Sequence, residues 1–139
     1  MTGTSTHTID DKGRLIIPTR FRDELGETFY VAIGMGHCLS LYPEKSWEAL
    51  TARLESLPYS KTQKTMRLLY ANTVKCTPDP QWRILLPAKL RKYAGLNKNI
   101  VAIGVSSRAE LWDEDAWNAM ENEALTEEAI TGAMEELGL

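Results

Sequence analysis

The chain has 139 residues and a mass of 15.6 kDa, enough for one domain with a core of its own. Its 43% hydrophobic and 25% charged residues argue against wholesale disorder, and no apolar run approaches the ~18–20 residues needed to cross a bilayer. The net charge of −3 hides an uneven spread: residues 109–139 hold 10 of the 19 acids and no Lys or Arg, whereas residues 1–108 carry 16 bases against 9 acids. A basic body joined to an acidic tail points to a polyanion partner for the body.

The N-terminal stretch MTGTSTHTIDDKGR has no charged flank followed by an apolar run, so no secretory signal is read there and the expected location is cytoplasmic. The first strong local signal is the polar turn Asp11-Lys12-Gly13, followed by Leu15-Ile16-Ile17, which reads as a buried strand. Pro18 suits the start of a helix over 19–25, and Gly26 suits its end. Strands are expected over Phe29–Ile33 and Cys38–Tyr42, with Gly34-Met35-Gly36 turning between them. A helix beginning near Pro43 places Trp47, Leu50, Leu54 and Leu57 along one face. Ser60 and Gln63 have capping-box spacing for a further helix over 60–72, carrying Met66, Leu69 and Tyr70. The pattern then starts again: a strand at Ile84-Leu85-Leu86, Pro87, a helix over 88–94, Gly95, strands over Ile100–Val105 and Ala109–Trp112, and a helix bearing Trp117, Met120 and Ala124. A short acidic helix is expected over Thr126–Leu137.

This recurrence is an internal duplication. A shift of 69 lays residues 10–26 over 79–95, and a shift of 70 lays 30–34 over 100–104 and 39–47 over 109–117. Across the 35 aligned positions of 10–26 and 30–47 twelve are identical, Asp10/Asp79, Arg14/Arg83, Pro18/Pro87 and Gly26/Gly95 among them, where chance gives about two. One copy alone, of about 45 residues, is marginal for independent folding, so the two are expected to interlock around one core.

The sharpest chemical signal is Asp-x-x-x-Arg just before a hydrophobic strand, present twice as Asp10…Arg14 and Asp79…Arg83. Residues four apart share a strand face, so the carboxylate can pair with the guanidinium and order it. An ordered guanidinium suits phosphate or a guanine edge, where it bonds bidentately. Lys12, Arg20, Arg22, Lys89, Arg91 and Lys92 add positive charge nearby. The competing reading is a pair of solvated surface ion pairs, each worth ~0–1 kcal/mol.

HTIDDKGRLIIPTRFR, LYPEKSWEAL, RILLPAKLRKYAGL and AELWDEDAW together resemble the bacterial MraZ family, over roughly residues 5–125. The resemblance implies an α+β fold: a β-rich swapped-hairpin (AbrB-like) barrel formed by two internal repeats, with peripheral helices. It implies SpoVT-AbrB-type copies at 5–47 and 75–117 closing into one pseudo-symmetric barrel, a linking helix at 60–72 and an acidic helical tail at 118–139. It implies a sequence-specific, nucleoid-associated regulator of the division and cell-wall gene cluster containing its own gene, working as a ring-shaped homo-oligomer on double-stranded DNA. Arg14 and Arg83 are the expected base contacts, oriented by Asp10 and Asp79, and Lys12, Arg20, Arg22, Lys89 and Arg91 are the expected phosphate contacts. The second motif departs from the family pattern by placing Pro80 and Trp82 where the first has Asp11 and Gly13. A different turn shape is therefore expected there, with Arg83 the less secure contact.

Other chemistries find little support. Cys38 and Cys76 have no metal-ligand spacing, His7 and His37 have no catalytic partner at a telling distance, and no nucleotide or hydrolase motif is present. No catalysis, cofactor or metal is expected. The alternative function is an antitoxin-like interaction module whose acidic tail binds a protein partner.

Overall fold

The computed structural model describes all residues, Met1–Leu139. In chain order the elements are β1 (Thr4–Thr8), β2 (Arg14–Ile16), α1 (Thr19–Leu25), β3 (Phe29–Ile33), β4 (Leu39–Pro43), α2 (Glu44–Glu55), α3 (Tyr59–Ala71), β5 (Val74–Cys76), β6 (Arg83–Leu85), α4 (Ala88–Tyr93), β7 (Asn99–Val105), β8 (Arg108–Asp113), α5 (Glu114–Ala124) and α6 (Glu127–Glu136). The fold is α+β. No helix is long and apolar enough to cross a membrane.

Strand order shows how the copies combine. The large antiparallel sheet has six strands in the order β1-β7-β8-β4-β3-β5, and β2 pairs with β6 in a separate two-stranded ribbon. Exchange the copies (β1 with β5, β7 with β3, β8 with β4) and this order reads the same backwards. The first strand of each half pairs in the other half: β1 lies against β7, and β5 against β3. The ladder ends at β1 on one side and β5 on the other, so its hydrogen bonds do not close into a ring. Neither β1 nor β5 had a sequence signal. Thr4–Thr8 is polar on both faces and Val74–Cys76 is three residues long, and both become strands because an exposed ladder edge receives them.

The pairing also corrects the duplication alignment. In the first hairpin Val31 faces Leu41; in the second, Ala102 faces Leu111. Strands β4 and β8 correspond at a shift of 70, and β3 and β7 correspond at 71. The matched strings YVAIG and IVAIG are thus one residue out of structural register, which turns every side chain to the opposite face. Burial agrees: Phe29 and Val31 enter the core beside Ile100 and Ala102. Four of the twelve identities are therefore not structural equivalents.

One core serves both halves. Leu15, Ile17, Phe21, Leu25, Phe29, Val31, Leu39 and Leu41 join Ile84, Leu86, Leu90, Ile100 and Leu111 in a single buried cluster. Proline ends β2 and β6 and opens α1 and α4 with fixed φ. Gly26, at φ 77, closes α1 in a conformation that glycine adopts cheaply. Helix α3 starts after Pro58 with no side-chain cap, so the expected capping box at Ser60 does not form and Ser60 lies within the first turn. On the other face of the sheet, Trp47 of α2 stacks on Tyr30 with centroids 5.0 Å apart, and Trp117 of α5 lies 5.6 Å from Trp112. Cys38 and Cys76 are buried free thiols, and burial pushes them up to about 12 and about 11.

Candidate nucleic-acid interface

The two Asp-x-x-x-Arg motifs build the same object twice. In the first, Asp10 Oδ1 accepts from the backbone N–H groups of Lys12 (3.0 Å) and Arg14 (2.8 Å), and Oδ2 accepts from Arg14 Nε at 2.7 Å. In the second, Asp79 Oδ1 accepts from Gln81 and Arg83 N–H, each at 2.9 Å, and Oδ2 accepts from Arg83 Nε at 2.7 Å. The backbone closes each turn in the same way: Gly13 N–H donates to Asp10 O at 3.0 Å, and Trp82 N–H to Asp79 O at 2.9 Å. The carboxylate thus orders the turn and its Arg together. The Arg14 backbone N–H, then its guanidinium and the Lys12 N–H, hold the Asp10 carboxyl below its ordinary value despite some opposing desolvation. Asp79 is lowered by the equivalent groups of Arg83 and Gln81.

The second turn does not change shape. Trp82 adopts φ 61, the left-handed region that Gly13 occupies at φ 82. Pro80 matches Asp11, whose N–H takes no part in the first turn, so the missing donor costs no bond. The strain at Trp82 is offset by packing, since the Arg22 guanidinium lies 5.1 Å from the ring centroid. A Cβ placed on Gly13 would meet Arg91 Cζ at 3.0 Å, so Arg91 lies over the first turn as Arg22 lies over the second. Each of these arginines also donates Nε to a strand-end carbonyl of its own copy, Arg22 to Ile17 and Arg91 to Leu86, both at 3.0 Å. Each half therefore clamps the other half's turn.

Strands β2 and β6 carry these turns in antiparallel register, with Arg14 opposite Leu85 and Ile16 opposite Arg83. Leu15 and Ile84 point into the core. The outward face of the ribbon is a diagonal array of Arg14 and Arg83 with Ile16 and Leu85, which are 45% and 60% exposed. The sequence pattern predicts Ile16 and Leu85 to be buried strand residues, and the structure corrects this. The apolar triplets 15–17 and 84–86 show no alternation in sequence, and only the strand geometry, with Leu15 and Ile84 facing the core, places Ile16 and Leu85 outside. The Arg14 and Arg83 side chains stay about one-third exposed, at 34% and 32%, with terminal nitrogens not used in the pairing to Asp.

The comparisons with known proteins agree with this duplication. A family model described as "MraZ protein, putative antitoxin-like" matches residues 1–70 and again 69–137. A Desulfitobacterium hafniense protein named transcriptional regulator MraZ is 44% identical over 137 residues, covering 97% of this chain and 94% of its own. Proteins of the same name from Caldicellulosiruptor bescii and Carboxydothermus hydrogenoformans are each 43% identical, covering 99% and 84% of this chain and 98% and 82% of their own. The chain belongs to the MraZ family. Each of the two MraZ matches contains one complete Asp–turn–Arg unit.

Of the other basic residues singled out in the sequence, Lys12 is exposed within its turn and Lys89 is exposed on the first turn of α4. Arg20 is directed elsewhere: it donates Nη1 to Thr4 O at 3.0 Å and ties α1 to β1. Arg22 and Arg91 are half-buried beside the turns. The ribbon therefore gathers Asp10, Lys12, Arg14, Arg22, Asp79, Arg83 and Arg91, while Arg20 is occupied as a structural tether.

Proposed function

We propose that the chain is a sequence-specific DNA-binding transcriptional regulator that inserts the β2/β6 ribbon into the major groove. The observation that carries this reading is a two-stranded antiparallel ribbon with two carboxylate-ordered arginines on its outward face. A major groove admits such a ribbon, and guanidinium is the best bidentate ligand of a guanine edge. The pseudo-twofold relation of the arginines suits an operator with two similar half-elements. Arg14 and Arg83 read bases, Asp10 and Asp79 orient them, and Lys12, Lys89, Arg22 and Arg91 supply positive potential toward phosphates. Arg20 has the weakest claim among these residues because its guanidinium is tied to Thr4.

The family and its relatives' printed names support the regulator role. The finer parts of the reading are the promoter of the division and cell-wall gene cluster containing its own gene, a nucleoid location, no catalysis, and a ring-shaped homo-oligomer that aligns many ribbons along repeated DNA elements. The reciprocal pairing of β1 and β5 supports a swapped-hairpin fold, with copies at 5–47 and 75–117, the helix at 60–72 between them and the tail from 118 onward. Closure into a barrel is part of the same proposal.

A gel-shift titration on DNA from upstream of the protein's own gene tests the central claim. Arg14→Ala and Arg83→Ala should each weaken specific binding by about 1–3 kcal/mol, while a scrambled duplex loses much less. Wild-type affinity should fall steeply with salt as phosphate counterions are released. Unchanged affinity in both variants would sink the assignment. The antitoxin-like alternative places activity in the acidic tail. A cut after residue 124 spares β8, whereas a cut at 108 would remove core residue Leu111, so the later cut separates tail function from ribbon function.

A further inference from the structure

The outward face of the β2/β6 ribbon carries two kinds of side chain, and the arginines explain only one of them. Ile16 and Leu85 stand there 45% and 60% exposed, while Leu15, Ile17, Ile84 and Leu86 beside them in sequence are buried. Folding does not require this choice. A polar β-branched residue such as threonine suits an exposed strand position equally well and leaves less apolar surface in water. The two positions are equivalent in the duplication at a shift of 69, so each half places a branched aliphatic side chain at the same point of its strand.

The register fixes what lies beside them. Arg14 is directly opposite Leu85, and Ile16 is directly opposite Arg83. Residues facing each other across an antiparallel pair have Cβ atoms about 4.5–5.5 Å apart. Each guanidinium therefore has as its cross-strand neighbour an aliphatic group from the other half of the chain. Asp10 and Asp79 hold the Nε of each arginine at 2.7 Å, so each guanidinium is fixed relative to that group. In the major groove a guanine edge offers two acceptors, whereas thymine presents an apolar group, its 5-methyl. Bases follow one another about 3.4 Å apart along a strand, so side chains about 5 Å apart address bases one or two steps apart.

We propose that Ile16 and Leu85 are specificity-determining residues, each packing on the 5-methyl group of a thymine one or two steps from the guanine bound by the arginine facing it. Each half-element of the operator is then read by a mixed pair, Arg14 with Leu85 on one and Arg83 with Ile16 on the other. Both halves of the chain contribute to each pair, which makes recognition depend on the pairing of β2 with β6. Apolar contact also displaces water beside the guanidinium, and a drier setting strengthens its bonds to guanine. The inference rests on the reading of the ribbon as a major-groove element and names the second base that the ribbon selects.

Uracil in place of thymine removes the methyl group and keeps the base pair, so it isolates this contact. The full-length chain is titrated against two duplexes from upstream of its own gene, one with thymine and one with uracil throughout. Burial of one such carbon contributes about fourfold in affinity. Wild type should therefore bind the uracil duplex about fourfold or more weakly. Ile16→Ala with Leu85→Ala should weaken binding to the thymine duplex and bring the two duplexes to equal affinity, with unchanged circular dichroism. If the double variant fails to fold, the single variants take its place, and each should keep its response to uracil in one half-element only. Equal wild-type affinity for both duplexes, with Arg14→Ala still losing affinity, would overturn the inference and leave the ribbon reading standing. A thymine preference that survives in the alanine variants also overturns it, because the methyl is then read by other residues. No specific binding by wild type, or unchanged affinity in both Arg14→Ala and Arg83→Ala, removes the ribbon reading itself and this inference with it.

Discussion

Asp10 and Asp79 each satisfy two turn N–H groups with one oxygen and an arginine Nε with the other. Cooperation of this kind couples backbone order to side-chain order: the guanidinium cannot swing away without loosening the turn. Both carboxyls lie below their ordinary value of 3.8, chiefly through the backbone N–H of the arginine. A depressed acid favours its ionised form in the folded state. The contribution of the turn is therefore complete above pH 3.8 and is lost as pH falls through the lower folded value. Carbon-13 titration of Asp10 should show a midpoint below 3.8, and Arg14→Ala should move it only part of the way back, because the backbone N–H remains. A full return to 3.8 would make the guanidinium the dominant cause and contradict the geometry described above.

Among the elements, the ribbon depends on two turns that solve one conformational problem differently. Gly13 reaches φ 82 without side-chain strain and leaves room for Arg91; Trp82 reaches φ 61 and lies beneath Arg22. Gly13→Ala should destabilise the protein by about 1 kcal/mol or more, since a left-handed φ and a displaced guanidinium act together. Trp82→Gly should also destabilise, by about 1 kcal/mol or more, because relief of strain of about 1 kcal/mol offsets the cation–π contact but not the lost packing of the half-buried indole against the core. Urea melts of both variants measure the losses. At this scale much was legible in the sequence. Strand Phe29–Ile33 follows from its β-branched and aromatic run, and α1 from its flanking Pro18 and Gly26. The turn at Trp82 was not legible, because its stabilisation comes from an arginine sixty residues away in the sequence. The outward turn of Ile16 and Leu85 was hidden by runs of three apolar residues, which show no alternation. Strands β1 and β5 carry no apolar pattern, since their place is set by a partner strand in the other half.

For the whole molecule, the duplication gives one cooperative unit rather than two. The shared cluster takes Phe21 and Phe29 from one copy and Leu90 and Ile100 from the other. Phe29→Ala should cost about 3–5 kcal/mol and lower one single transition. Calorimetry resolving two transitions, with only one displaced, would show that the halves fold separately.

Reciprocal strand exchange also bears on how the protein is made. Thr4 pairs with Ile103 and Thr8 with Asn99, so the opening strand has no edge to join until the chain has been synthesised through β7. Domains normally fold as units while they emerge from the ribosome. A half-finished copy of this chain instead leaves the tunnel with its first strand unmatched and its shared interior open on one side. Nascent chains arrested near residue 75 should therefore be protease-sensitive throughout, and protection should arrive late and all together, once β7 and β8 are out.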